Sequence, residues 1–169
     1  MPTIKPIKGH YFVKWLHAGL YSAAAEIECD SCERFWTQGT IRNLMRRDHR
    51  MGGYVISDLD QPVGYIVFEK RHSHREICVQ NLVIKSDYRE KGLGTILMDR
   101  VSAKLKRKNT PCPTEKISIY IRESNIGGHL FLKKYGFNAT GVSREYFEDV
   151  MYGDEVQKED AYRFILKEA

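Results

Sequence analysis

Apolar residues recur along the chain first at helical and then at strand spacing, and the order of these runs predicts an alternating series of elements. Ile4 to Ile7 reads as a short first strand. From about His10 to Cys29 apolar side chains return every three or four residues (Phe12, Trp15, Leu16, Leu20, Ala23, Ala24, Ile27), which predicts a first helix. A loop over Asp30–Trp36 follows, and Thr37 stands where it can cap a second helix with Ile41, Leu44 and Met45 on its apolar face. Gly53–Ser57 and Val63–Lys70 are extended runs joined by a turn of Asp and Pro content, as in an antiparallel pair.

Arg71–Arg75 is a polar loop whose His72 and His74 read as solvated. Glu76–Ile84 is rich in β-branched residues and apolar on both faces near its end (Leu82, Val83, Ile84), which predicts a central strand covered on both sides. A loop over Lys85–Gly94 leads into a helix reaching about Arg107, and the prolines of Asn109–Thr114 end it. Lys116–Arg122 is another strand, Asn125–Tyr135 a short helix stopped at Gly136, and Phe137 to about Tyr146 and Asp160–Lys167 are two closing strands with a long polar connection. This order describes a mixed α/β sheet.

Composition narrows the class. At about 150 residues per domain, a chain of 169 residues is expected to form one domain spanning 1–169, and 42% hydrophobic with 29% charged residues excludes a disordered tail, a collagenous repeat and a disulfide scaffold. Ala18–Ala25, a weakly polar stretch, is far shorter than the roughly 20 apolar residues of a membrane span. The amino terminus lacks the apolar core of a secretion signal, so a cytoplasmic location with free thiols is expected. Cys29 and Cys32 form an isolated C-x-x-C with no second pair, and Cys78 and Cys112 stand apart, so no metal is expected.

A net charge of +5 suits an anionic ligand. The basic groups around Arg42–Arg50 and Lys104–Lys108 read as solvated helix faces, and no nucleic-acid-binding motif accompanies them.

The chemistry concentrates after the central strand. Arg89, Gly92 and Gly94 lie where that strand passes into a helix, and glycines there let backbone N–H groups approach an anion at the positive end of the helix. The spacing is neither that of the nucleotide-triphosphate loop nor the dinucleotide fingerprint. It suits a pyrophosphate.

Arg89-x-x-Gly92-x-Gly94 matches the Q/R-x-x-G-x-G/A motif, and the chain thereby resembles the GNAT acetyltransferase superfamily. Asn81–Asp99, Ile121–Phe137 and Arg144–Phe164 are similar, in that order, to the central strand and loop, the V-R-x-S-N segment and the closing hairpin of its RimI-type, N-terminal protein acetyltransferase branch. The resemblance implies a mostly antiparallel sheet of about seven strands, splayed at the fourth and fifth, with about four helices. It implies acetyl-CoA held by the backbone of Leu82, Val83 and Ile84, with the Val83 N–H polarising the thioester carbonyl. The pyrophosphate would rest on Arg89, Glu90, Lys91, Gly92, Leu93, Gly94 and Thr95, and Asn125 would contact the cofactor.

The acceptor implied is a protein or peptide amino terminus, a ribosomal protein in the RimI-type enzymes, with Phe35, Trp36, Tyr146 and Phe147 lining its path. Monomer and homodimer both fit. The sequence departs from the branch at its proton handlers: Tyr120 stands where a Glu is usual, and Leu132, beside Phe131, where a Tyr donates to the leaving thiolate. Tyr88 and Tyr120 are the candidates to organise a water that takes the proton, with Glu33 in reserve. These departures keep two alternatives open, a small-amine acetyltransferase acting on a polyamine or aminoglycoside and a non-catalytic acyl-CoA-binding module.

Overall fold

The computed structural model describes residues 10–31, 36–47, 49–105, 113–150 and 156–167. Seven strands occur among them: β1 (Tyr11–Trp15), β2 (Met51–Asp58), β3 (Gln61–Arg71), β4 (Glu76–Ile84), β5 (Lys116–Arg122), β6 (Asn138–Val150) and β7 (Val156–Lys167). The helices are α1 (Tyr21–Ser31), α2 (Gln38–Arg47), α3 (Leu93–Ser102) and α4 (Ile126–Tyr135). Strand order is β1-β2-β3-β4-β5-β7-β6, mixed and mostly antiparallel, with β4 and β5 parallel. This is the GNAT fold.

The chain divides into two compact units, 1–70 with 80–103, and 71–79 with 104–169, and the break falls inside β4. In the first unit side-chain alternation along the strands assigns Val55, Tyr65, Val67 and Val83 to one face. There they bury against Leu16, Tyr21, Ala24, Ile27 and Ile41 of the segment running from β1 through α2. Ile56, Ile66 and Phe68, equally buried, fall on the opposite face of β2 and β3, and α3 packs beside β2. Coverage of both faces explains why Val63–Phe68 is an unbroken buried run.

In the second unit the β4–β5 ladder has only the pairs Glu76↔Lys116 to Val79↔Ile119. Antiparallel β5–β7 and β6–β7 ladders extend it. Ile77, Ile117, Leu132, Phe137, Ala161 and Phe164 are among its buried apolar residues.

Several element ends fall where expected. Thr37 caps α2, its Oγ1 accepting from Thr40 N at 3.1 Å, and Gly136 closes α4 with its N–H on the Leu132 and Lys133 carbonyls. The first helix is corrected. Tyr11–Trp15, expected to be its first turns, is a strand paired with β2, and α1 starts only at Tyr21, after a single 3-10 turn at Ala18–Leu20. Phe12 and Trp15, which helical spacing put on the buried stripe, are 53% and 46% exposed. The helix expected to reach Arg107 ends at Ser102. The closing hairpin is longer than expected, because β6 runs on to Val150 and β7 begins at Val156, which shortens the polar connection. The predicted strand Ile4–Ile7 lies outside the described residues.

Candidate active site

In the first unit the segment from Lys85 to Thr95 forms a curled main-chain loop. A 3-10 turn at Ser86–Tyr88 opens it, and Glu90 (φ 60°) and Gly92 (φ 80°) both take the left-handed conformation, which turns successive N–H groups toward one side. Gly92 is the N-cap of α3 and reaches this conformation without the strain a side chain would add. The first helical bond is Ile96 N to Gly92 O, at 3.1 Å. Among the described residues, the N–H groups of Glu90 through Thr95 therefore meet no acceptor, as a helix start requires unless a ligand supplies one.

Arg89 has another part. Its N–H donates to Ser86 O, its Nε to Ile84 O at 3.1 Å and its Nη2 to Ser31 O at 2.9 Å, so the residue braces the loop against the ends of β4 and α1. Lys85 repeats the tie with an ion pair to Asp30 at 3.4 Å. Tyr88 is half-buried and lies under the Lys91 ammonium, 4.7 Å from its ring centre.

The residue pairs of the β4–β5 ladder end at Val79, and Leu82, Val83 and Ile84 lie beyond them. Gly64 lets the neighbouring chain come close: a Cβ there would stand 2.4 Å from Ile84 Cδ1 and 2.9 Å from Val83 O.

A buried carboxylate lies nearby in the same unit. Glu28, 1% exposed, accepts from the Tyr65 hydroxyl and from Asn81 Nδ2 (2.6 Å) on Oε1, and from Trp36 N (3.2 Å) on Oε2. Asn81 Nδ2 also donates to Tyr65 Oη at 3.1 Å. One side chain thus ties α1, β3, β4 and the entrance of α2 together, with donors enough to offset the cost of burying it. Sequence reasoning missed it. Glu28 falls seven residues after Tyr21 and four after Ala24, so a carboxylate on the apolar stripe of α1 was the available sign.

In the second unit Tyr120 and Tyr146 stack face to face, centroids 4.9 Å apart and 5° between planes, and Phe147 meets Tyr146 edge-on at 5.0 Å. The Tyr146 ring is 50% exposed. Partial burial, with the neighbouring Cys78 and Tyr120 groups, pushes its hydroxyl above the ordinary value, so the phenol stays protonated at neutral pH. Arg163, held by Glu76 at 3.0 Å, lies over the Tyr120 ring at 5.8 Å. Arg122 lies over Phe147 at 4.2 Å and pairs with Glu159 at 3.1 Å, and the other Glu159 oxygen accepts from Ser124 N at 2.7 Å.

Asn125 caps α4, its Oδ1 accepting from Gly128 N at 2.9 Å. Leu132 is buried, and Phe131 packs on Tyr135. Neither supplies an acid.

The structure therefore brings together Tyr120, Tyr146 and Phe147 in one unit, and the loop and strand residues Leu82–Thr95 in the other. Trp36 packs on the core of the first unit, and Glu33 and Phe35 lie outside the described residues. Cys29 is exposed and Cys78 buried, both as free thiols. Among the described residues no three His, Cys, Asp or Glu side chains are grouped to hold a metal ion, and no helix is long and apolar enough to cross a membrane.

Three solved structures share the fold over nearly the whole chain. The ribosomal-protein-S18-alanine N-acetyltransferase of Escherichia coli has a TM-score of 0.76 and 19% identity, with 94% of each chain covered. NAA60 of Arabidopsis thaliana, solved with a bisubstrate analogue, has 0.75 and 12%, with 94% of this chain and 98% of that one. A variant of the spermidine N-acetyltransferase SpeG from Vibrio cholerae has 0.71 and 16%, with 93% of each. No curated protein matches the sequence. A sequence model described as the Acetyltransferase (GNAT) family matches residues 13–137, from within β1 through the loop at Lys85–Thr95 to just past α4. With that match over most of its length, the chain belongs to the GNAT acetyltransferase family.

Proposed function

We propose that the protein transfers the acetyl group of acetyl-CoA to the α-amino group of a protein amino terminus, in the manner of the RimI-type enzymes that act on a ribosomal protein. The observation that carries this reading is the row of N–H groups from Glu90 to Thr95 at the start of α3, unpartnered among the described residues, beside the end of β4 that lies beyond its ladder to β5. Such donors fit a pyrophosphate and the amides of a pantetheine arm. Acetyl-CoA supplies the acetyl group as an activated thioester.

Leu82, Val83 and Ile84 hold the arm in this reading, and the Val83 N–H stabilises the oxyanion that forms at the carbonyl. An uncharged amine attacks the carbonyl carbon, the C–S bond breaks, and two protons must move: one leaves the nitrogen and one reaches the thiolate. Tyr88 and Tyr120 organise the water that receives the first, with Glu33 the remaining carboxylate candidate. With Leu132 at the usual acid position, water protonates the thiolate. Phe35, Trp36, Tyr146 and Phe147 line the acceptor's path. The whole chain 1–169 serves as one acetyltransferase domain in the cytoplasm.

A polyamine acceptor is the second reading, favoured by the carboxylates Glu145 and Glu148 near the exposed Tyr146 ring. Lys158 already bridges both, at 2.8 and 3.7 Å, which weakens the attraction for a further cation. The deciding experiment measures CoA thiol release with free-amino-terminal peptides, the same peptides acetylated, spermidine and an aminoglycoside, alongside a calorimetric titration of acetyl-CoA. Turnover on the free peptides alone supports the proposal. Turnover on spermidine alone moves the protein to the small-amine class, and tight binding without turnover on any amine leaves an acyl-CoA-binding module.

A further inference from the structure

The β6–β7 ladder is interrupted where the aromatic platform is built. Ser143 pairs with Ala161 and Phe147 with Glu159, so Arg144, Glu145 and Tyr146 all stand opposite Asp160. Two extra residues on β6 must bulge outward, and Glu145 takes a left-handed φ of 50°, a conformation that residues with side chains avoid. Something outside the ladder has to hold this shape.

We infer that Asp160 is a positioning residue for the acceptor: its carboxylate fixes the bulge that lays the Tyr146 ring on Tyr120. Asp160 Oδ1 accepts from Glu145 N at 2.8 Å, the backbone donor at the strained residue, and Oδ2 accepts from Arg144 Nη1 at 2.5 Å. The two bonds therefore clamp consecutive residues immediately before Tyr146. The same donors, the Glu145 N–H foremost, hold the Asp160 carboxyl below its ordinary value and keep it ionised.

The two contacts differ in weight. The Arg144 side chain is 83% exposed, so its ion pair contributes little, whereas the Asp160 side chain is only 15% exposed and the backbone bond it accepts has no substitute in the ladder. The neighbouring Glu159 performs a parallel task, holding Arg122 over Phe147 and the Ser124 N–H ahead of α4. Two adjacent carboxylates thus set the two aromatic rings of the platform. The proposed ligand is the peptide segment that carries the acceptor amine, lying on a flat ring with a phenolic donor at its edge.

This inference rests on the acceptor-side role given to Tyr146 above. Its test compares Asp160→Ala with Asp160→Asn, which keeps an oxygen for the Glu145 N–H and gives up only the ion pair. Asp160→Ala is expected to raise the KM for a peptide acceptor about tenfold, with the KM for acetyl-CoA within twofold, and to abolish hydrogen-exchange protection of the Glu145 amide. Asp160→Asn should restore both to near wild type. An unchanged acceptor KM in an alanine variant whose Glu145 amide has lost protection overturns the inference, as does an equal rise in both KM values. Absence of wild-type turnover on every amine overturns the acetyltransfer reading and the acceptor role with it, and the exchange measurement still decides whether Asp160 holds the bulge.

Discussion

The two units present their candidate groups by opposite means. The first presents main-chain N–H groups, with a buried carboxylate, Glu28, satisfied by a phenol, an amide and a backbone N–H inside the core. The second presents side chains, Tyr120, Tyr146 and Phe147, braced by ion pairs near the surface, Arg122–Glu159 and Arg144–Asp160. Under the proposed function the difference has a reason: a pyrophosphate is the same in every acyl-CoA, so a backbone cradle independent of side-chain identity would serve it, whereas an acceptor differs between enzymes, and rings on a hairpin can be exchanged without rebuilding the sheet.

That contrast breaks most sharply at Glu28. Glu28→Ala leaves the buried Tyr65 hydroxyl and the Asn81 amide without their acceptor, and a loss of about 2–4 kcal/mol is expected in urea unfolding. A loss under about 1 kcal/mol, typical of an exposed ion pair, would place this carboxylate in the same class as the surface braces. Next in size, Gly92→Ala puts a Cβ on a residue at φ 80°, strain of about 1–2 kcal/mol. Calorimetry should find acetyl-CoA binding weakened about tenfold with the acceptor KM unaltered, and a change in the acceptor KM instead would end the division of labour.

Tyr120→Phe keeps the stacked ring and removes only the hydroxyl. Turnover should fall about tenfold if that hydroxyl orders a water, and an unchanged rate would leave Tyr120 as a platform alone.

The smallest effect is one of pH and belongs to the second unit. Burial raises the Glu76 carboxyl, but the Ser118 hydroxyl, the hydrogen bond from Arg163 and the charges of Lys116 and Arg163 together outweigh it and hold the group below its unfolded value of 4.5. With the folded value depressed, the stabilisation is complete above pH 4.5 and is lost as pH falls through the folded value. Unfolding midpoints measured from pH 6 downward should therefore drop below about pH 4.5 in the wild type and drop less in Glu76→Gln. Parallel curves would remove Glu76 from the acid response.

How much of this was legible can be seen at particular residues. The strand Lys116–Arg122 and the Gly136 stop were readable because alternation and end residues act locally. Tyr11–Trp15 was not, since Phe12, Trp15 and Leu16 also fit helical spacing, and only hydrogen bonding to β2 makes the segment a strand. The resemblance named main-chain groups from Arg89 onward and left the guanidinium without a task, whereas the fold gives it the Ile84 and Ser31 carbonyls, acceptors on other elements. Glu159 and Asp160 stood in the quoted hairpin without a role, because a bulge exists only once two strands have a register.

The sequence by itself determined the order of elements from β2 onward, the glycine-bearing turn into α3 and the family, because each depends on residues close along the chain. Only the tertiary structure decided that Glu28 is a buried strut, that the Arg89 guanidinium meets the Ile84 and Ser31 carbonyls, and that Asp160 accepts from the Glu145 N–H. Each of those depends on a donor or acceptor brought close by folding, and no local pattern encodes which partner a polar side chain will meet.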